Sequence, residues 1–326
     1  MASKSGGRWR GSACGTSFLL VLLAGVMIVG LPGAGTAIAR TLEVGLNKPY
    51  KAPSLAAADA KDGDHILIEP GEYFDCTVWQ ANNLVIEGGG PDAKAIITDK
   101  TCQGKAIFVI AGNDTTVRNL TLTRARVPDM NGAGIRQEGR NLTVEAVKFI
   151  NNQDGILAAN SPGSRVIVRD SQFLQNGVCA PSCAHGIYVN EVDLLRVERS
   201  RFFETRQGHH IKSRALRTEV IGCDIADGNN GTSSFLIEAP NGGSLVVRDN
   251  TLEKGPRAEN HTTAISVGAE GVTHPTREII VDNNKFSNDG DYPTVFVRNL
   301  TATPAVLRGN KLSGRATALS GDGNVE

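Results

Sequence analysis

One phrase, repeated in register, restricts this chain to very few folds. A Val-x-x-x-x-Phe unit, clearest at Val197 to Phe202, recurs from starts at Val117, Val144, Val168, Val197, Val220, Val247, Val281 and Leu307. Five residues after each start stands a second large apolar residue: Leu122, Phe149, Phe173, Phe202, Ile225, Leu252, Phe286 and Leu312. The steps between starts run from 23 to 34 residues. A second phrase follows each first one, a small residue and then an apolar alternation, as at Gly134, Gly155, Gly186, Gly208, Ser234, Ala264 and Thr294.

Two short β segments per period, without helical periodicity, indicate a solenoid. Each coil can bury its inner face only against its neighbours, so the array folds as a unit. With the opening phrase Gly63-Asp-His-Ile-Leu-Ile-Glu-Pro-Gly-Glu-Tyr73, this register resembles right-handed parallel β-helix proteins of the pectate-lyase-like superfamily over roughly residues 62–312. The resemblance implies an all-β, right-handed parallel β-helix, and by itself does not fix the reaction. Residues 40–312 are expected to form it, with a short helix near Pro53 to Lys61, capped by Ser54, covering the first coil. Residues 313–326 are Gly-rich with little left to bury and read as a flexible tail.

Residues 1–39 carry Lys4, Arg8 and Arg10, an apolar run from Phe18 to Leu31 and Ala37-Ile38-Ala39. That order reads as a cleaved export signal, because the run falls short of the roughly 20 residues that span a bilayer. An uncleaved anchor is the alternative. Cleavage removes three basic residues and no acidic ones, moving the balance of 34 basic and 34 acidic residues to 31 against 34. A near-neutral domain has no electrostatic footprint for nucleic acid. The expectation is a secreted or periplasmic monomer that leaves the membrane after signal cleavage.

Cysteine use agrees with export. Cys223 falls in a turn column with Leu120, Val147, Ser171, Ser200, Asn250, Asn284 and Asn310, where stacked side chains bond from coil to coil, so it reads as a buried free thiol. The remaining mature cysteines can pair as Cys76 with Cys102 and Cys179 with Cys183. Cys179, Cys183 and His185 read alternatively as three ligands of a zinc site, without a fourth at matching spacing. No metal or cofactor is expected. The Asn-x-Thr triplets at Asn113, Asn119, Asn141, Asn230, Asn260 and Asn299 read as turn residues followed by strand residues, with glycosylation as the alternative.

Strand alternation divides the second phrase between two faces. Counting from its small residue, Ile135, Ile156, Ile187, Phe235, Ile265 and Val295 point inward, and the outer column is Arg136, Leu157, Tyr188, His210, Leu236, Ser266 and Phe296. Beside it runs Glu138, Ala159, Asn190, Lys212, Glu238, Gly268 and Arg298. Coils about 4.8 Å apart bring Tyr188, His210, Asn190, Lys212 and Glu238 into one patch. Loops 127–133, 178–185, 225–233 and 254–263 would rise beside it as walls.

Superfamily members that act on polysaccharides bind an extended glycan along this strand face, so the resemblance places a cleft here. For a uronate polymer the fitting reaction is proton abstraction at C5, then β-elimination or reprotonation on the other face. His210 is the expected base, Lys212 neutralises the carboxylate and Tyr188 protonates, with the parts of His210 and Lys212 interchangeable. Asn190, Glu238, Arg136, Glu138 and Arg298 are the expected substrate contacts. His209 points inward in this register, unless a local bulge reverses the two histidines.

The rival readings are hydrolysis and glycan binding without cleavage. Hydrolysis needs two carboxyl groups roughly 5 to 9.5 Å apart, whereas Glu138 and Glu238 lie four coils from each other; Asp154, Glu191, Asp193 or Asp227 would have to supply a partner. The Asp pairs of polygalacturonases and the Asp-Pro-His-Asp phrase of mannuronan epimerases are absent, and no acidic cluster on adjacent coils suggests calcium. A binding scaffold would need aromatic and amide residues, which Tyr188, Phe296 and Asn190 also supply.

Overall fold

The apolar columns of the repeat stack directly on one another, and that stacking builds the molecule. In the computed structural model, which describes residues 10–13, 39–180 and 182–326, the chain winds into a right-handed parallel β-helix of three long parallel sheets. One sheet has 12 strands, from Thr41–Val44 to Gly323–Val325, and the other two have 10 each. The second runs from Gly71–Tyr73 to Lys311–Ser313; the third, from Thr77–Trp79 to Ala316–Ser320, carries the site. The apolar run Phe18 to Leu31 of the expected export signal lies outside the described residues.

Register follows the columns read from sequence. Val117, Val144, Val168, Val197, Val220, Val247, Val281 and Leu307 are successive cross-strand partners in the 12-stranded sheet. In the second sheet Phe149, Phe173 and Phe202 stack face to face, with ring centroids 4.7 and 4.5 Å apart. Each such ring, fully buried, contributes on the order of 2–3 kcal/mol through apolar burial.

The turn column is a hydrogen-bonded ladder. The side-chain oxygens of Asn250, Asn284 and Asn310 accept from the backbone N–H groups of Cys223, Asn250 and Asn284 at 2.7, 3.0 and 3.0 Å. Their amide nitrogens donate to the carbonyls of Val220, Val247 and Val281. Cys223 is a buried free thiol in this column, and burial pushes its pKa up to about 11. Disulfides join Cys76 to Cys102 and Cys179 to Cys183. Bonded to each other, the two latter sulfurs cannot act as zinc thiolates, so the alternative zinc site falls.

Both ends differ from expectation. The helix Pro53–Asp59 does cover the first coils, with Ala56 fully buried, but its N-cap is Ala52 and Pro53 opens it. Ser54 lies inside the first turn, and its backbone N–H donates to Asp75 at 2.8 Å. Pro at the first helical position presets the backbone angle and removes one unpaired N–H, which does the work expected of a side-chain cap. At the other end no loose tail follows Leu312. Ala316–Ser320 pairs with Thr294–Asn299, and Gly323–Val325 pairs with Ala305–Arg308, closing the open edges of the last full coil, with Ala316, Ala318 and Leu319 packed against the core.

Candidate functional site

Strict alternation fails where each site strand begins. Two successive residues turn inward there: Gly186 then Ile187, His210 then Ile211, Leu236 then Ile237, Phe296 then Val297. The glycines fit because a Cβ on Gly155 or Gly186 would meet Phe173 or Phe202 of the aromatic stack. The register across the site is therefore Ile187 with Ile211 and Ile237, and Tyr188 with Lys212 and Glu238. The count that began at Gly208 was two residues out of step. Leu236 and Phe296, expected on the outer face, are fully buried, while Phe235 and Val295, expected inside, are partly exposed.

His210 is the main correction. It has no exposed surface; its Nδ1 lies 2.8 Å from Thr205 Oγ1 and its Nε2 lies 2.9 Å from Asp227 Oδ1, on the core side of the wall. It cannot reach a glycan on the outer face. His209 takes the outer position, as the bulge alternative required. Its Nδ1 accepts from the backbone N–H of Phe235 at 3.2 Å, so the neutral ring carries its proton on Nε2, which is 3.0 Å from Glu238 Oε2.

Around this imidazole the outer face gathers a compact polar cluster. Lys212 Nζ lies 2.6 Å from Glu270 Oε1, 3.4 Å from Glu238 Oε2 and 5.8 Å from the centre of the Tyr188 ring. Arg214 Nε donates to the Tyr188 phenol oxygen at 3.0 Å, and its other nitrogens bond Glu270 at 2.6 Å and Asn241. His185 packs edge-on to Tyr188 at 5.2 Å and against His209 at 4.6 Å. Its Nδ1 accepts the His209 backbone N–H at 2.9 Å.

The electrostatics separate these groups. Burial, then repulsion from His209, Lys212 and Arg214, holds His185 well below the ordinary imidazole value, so it stays neutral. Burial alone would raise the Glu238 carboxyl; the contact with His209 and the charge of Lys212 outweigh it and hold that group below the usual carboxylate range. Glu270 is likewise lowered, its desolvation outweighed by Lys212 and Arg214. Glu238 is only 3% exposed, and its Oε2 lies 3.0 Å from His209 Nε2 and 3.4 Å from Lys212 Nζ.

The remaining expected contacts are spread more widely. Asn190 faces out beside Arg214, but its amide donates to the Ala158 carbonyl at 2.8 Å. Arg136 stands two coils to one side of Tyr188, and Arg298 two coils to the other side of Glu238, each about 10 Å away at coil spacing. Glu138 is tied to Lys105 at 2.6 Å. Arg214, Glu270, Asn241 and His185 were missed. Arg214 was within reach of sequence reasoning, since it stands two residues beyond Lys212 on the same face; Glu270 comes from a loop whose path no pattern announces.

No protein-family model matches the chain, and no curated protein matches it. Solved structures do. An alginate lyase from Paenibacillus sp. strain FPU-7 aligns with a TM-score of 0.62 at 18% identity, covering 87% of this chain and 99% of that one. A pectate lyase aligns with a TM-score of 0.55 at 14% identity, covering 87% of this chain and 80% of that one. At such identities the likeness establishes the shared parallel β-helix.

Proposed function

We propose that this protein cleaves an acidic, uronate-containing polysaccharide by β-elimination on the face carrying Tyr188 and Lys212. The observation that carries the reading is the pairing of those two residues on adjacent strands, with Arg214 donating to the phenol oxygen. Alginate and pectate lyases with the same fold lend support.

Lys212 and Arg214 form a cationic pair that fits the substrate's C6 carboxylate, drawing electron density from C5. Tyr188 accepts the C5 proton as its own hydroxyl proton moves toward the glycosidic oxygen. The C5–H electrons become the C4–C5 double bond, the C4–O bond breaks, and the leaving oxygen keeps the proton. Glu238, itself in contact with His209, holds Lys212 in place. Tyr188 and Lys212 project from one sheet, which favours elimination over the two-faced proton transfer of an epimerase.

Hydrolysis gains a carboxylate pair, because Glu238 and Glu270 flank a single ammonium. A glycosidase must keep one carboxyl protonated at working pH, and both of these are pushed the other way. The two disulfides fit a protein working outside the reducing cytosol. Among the described residues no helix is long and apolar enough to cross a membrane.

The test is incubation with alginate, polygalacturonate and neutral polymers, following the absorbance of unsaturated ends. Signal on acidic polymers alone is expected. Binding to an acidic polymer with no unsaturated product would instead support a glycan-binding scaffold.

A further inference from the structure

Outside this cluster, the arginines of the second sheet and its turns are mostly paired with carboxylates. Arg124 bonds Asp99 at 2.6 Å and Glu72 at 3.2 Å, Arg199 bonds Asp170 at 2.8 Å, and Arg201 lies 3.4 Å from Asp224. Arg126 and Arg206 are different. Both aim a guanidinium nitrogen at one neutral acceptor, Asn151 Oδ1, at 2.7 and 2.8 Å. Arg126 also donates to the carbonyls of Ala125 and Asn151, at 2.8 and 2.6 Å. Among the described residues neither makes an ion pair with a carboxylate. Asp99, whose charge favours the Arg126 cation, is already held by Arg124. Lost hydration, and after it the charge of Arg206, lowers the Arg126 guanidinium from its ordinary value.

Two like charges on one neutral oxygen repel each other, and several of their N–H donors stay free. An anion seated between them would relieve the repulsion and could accept in the bidentate manner that guanidinium favours. The pair opens on a groove of about 680 Å³, also lined by Val127, Met130, Val178 and Gln207. That volume falls within the usual range for a small-molecule site. Its lining joins an apolar strip, suited to the C–H face of a sugar ring, with amide groups suited to hydroxyls. Arg206 precedes His209 by three residues and Lys212 by six on the same coil. The hairpin pinned by Cys179 and Cys183 begins at Val178, in the groove wall, and leads directly into His185 of the site.

We propose that Arg126 and Arg206 form a flanking anion subsite that takes the carboxylate of a second uronate unit of the polymer bound over Tyr188. The inference rests on the acidic-polysaccharide reading above and extends the bound glycan off the sheet into the loop groove.

The test compares the protein carrying Lys212→Ala, which holds oligosaccharides without turnover, with and without Arg126→Gln and Arg206→Gln. Calorimetry with uronate dimers and hexamers from alginate and polygalacturonate is the readout. Loss of a charge-assisted contact predicts roughly tenfold weaker hexamer binding in either arginine variant, unchanged dimer binding and, in otherwise unaltered protein, a raised KM on polymer with kcat retained. Equal hexamer affinity in all proteins would overturn the subsite.

Arginine side-chain NMR of the unaltered protein tests the groove apart from activity. Added uronate hexamer should move the Nε–Hε signals of Arg126 and Arg206; their staying still while the hexamer is bound overturns the subsite alone. A protein that neither binds nor cleaves any uronate polymer removes the main reading, and the subsite with it.

Discussion

His209 and His210 are neighbours in sequence and each faces a carboxylate, yet they belong to opposite sides of one wall. Outside, His209 meets Glu238 at 3.0 Å in a cluster that includes Lys212, Tyr188, Arg214 and Glu270. Inside, His210 meets Asp227 at 2.9 Å, with Lys254 Nζ 3.8 Å from the same carboxylate, and all three side chains are fully buried. The outer cluster reaches solvent through the Glu270 side chain, whereas Asp227 also accepts the Gly255 backbone N–H at 3.0 Å, and Lys254 donates to the Ser234 carbonyl at 2.6 Å. Similar residue types thus line an outer face in one place and tie the core together in the other. What separates them is whether a substrate can arrive.

The largest expected effect lies outside. Tyr188→Phe or Lys212→Ala should slow formation of unsaturated product by about a thousandfold, the scale of a lost proton-transfer group, while thermal melting stays close to that of the unaltered protein. The mirror experiment lies inside. His210→Ala strands a buried Asp227 and should cost on the order of 3–5 kcal/mol in denaturant unfolding. A His210→Ala protein with full stability and no activity would break the comparison.

The pH dependence of stability sharpens it. Burial would raise Asp227, but the hydrogen bond from His210 and the charges of His210 and Lys254 hold it low; Glu238 is held low by His209 and Lys212. A depressed carboxylate contributes stability that is present above its unfolded pKa, about 4, and is lost as pH falls through the folded value. Glu238→Gln and Asp227→Asn should each flatten this acid loss. Lys254 behaves oppositely: burial outweighs Asp227 and lowers it to about 8. Its charge burdens the fold below that pH, so stability should rise as pH climbs from there toward about 10.4, its unfolded pKa. Lys254→Met should abolish that alkaline rise, as read from unfolding curves across pH.

The smallest effect concerns Glu270, which is 40% exposed at the side chain and holds both site cations. Glu270→Gln frees Lys212 and Arg214 for a substrate carboxylate. An exposed ion pair is worth about 0.2–1 kcal/mol, so KM should fall by roughly two- to fivefold, with kcat little changed. A raised KM would show that Glu270 positions the cations and does not compete for them.

The coil repeat was legible because apolar columns must coincide for an open solenoid to bury its core, and Val197, Phe202 and Asn284 stand where their spacing put them. The site was legible in part. Tyr188, Lys212 and Glu238 do meet, but through a register two residues from the one counted, because alternation breaks where Gly186 and His210 turn in against the aromatic stack. Nothing in a period-two pattern marks that break. Glu270 joins from a loop, where position depends on turn geometry and not on periodicity. The closing strands past Leu312 escaped notice because the five-residue spacing of large apolar residues stops there, and the small Ala316 and Ala318 pack on the core without it.

If an acidic glycan reacts on the outer face over Tyr188, it must bind there. A crystal of the Lys212→Ala protein soaked with a uronate hexamer tests it most directly. The expected result is a sugar ring over Tyr188, its C5 and glycosidic oxygen within reach of the phenol, and its carboxylate against Arg214. A hexamer bound along either of the other two sheets, with the Tyr188 face empty, would contradict it.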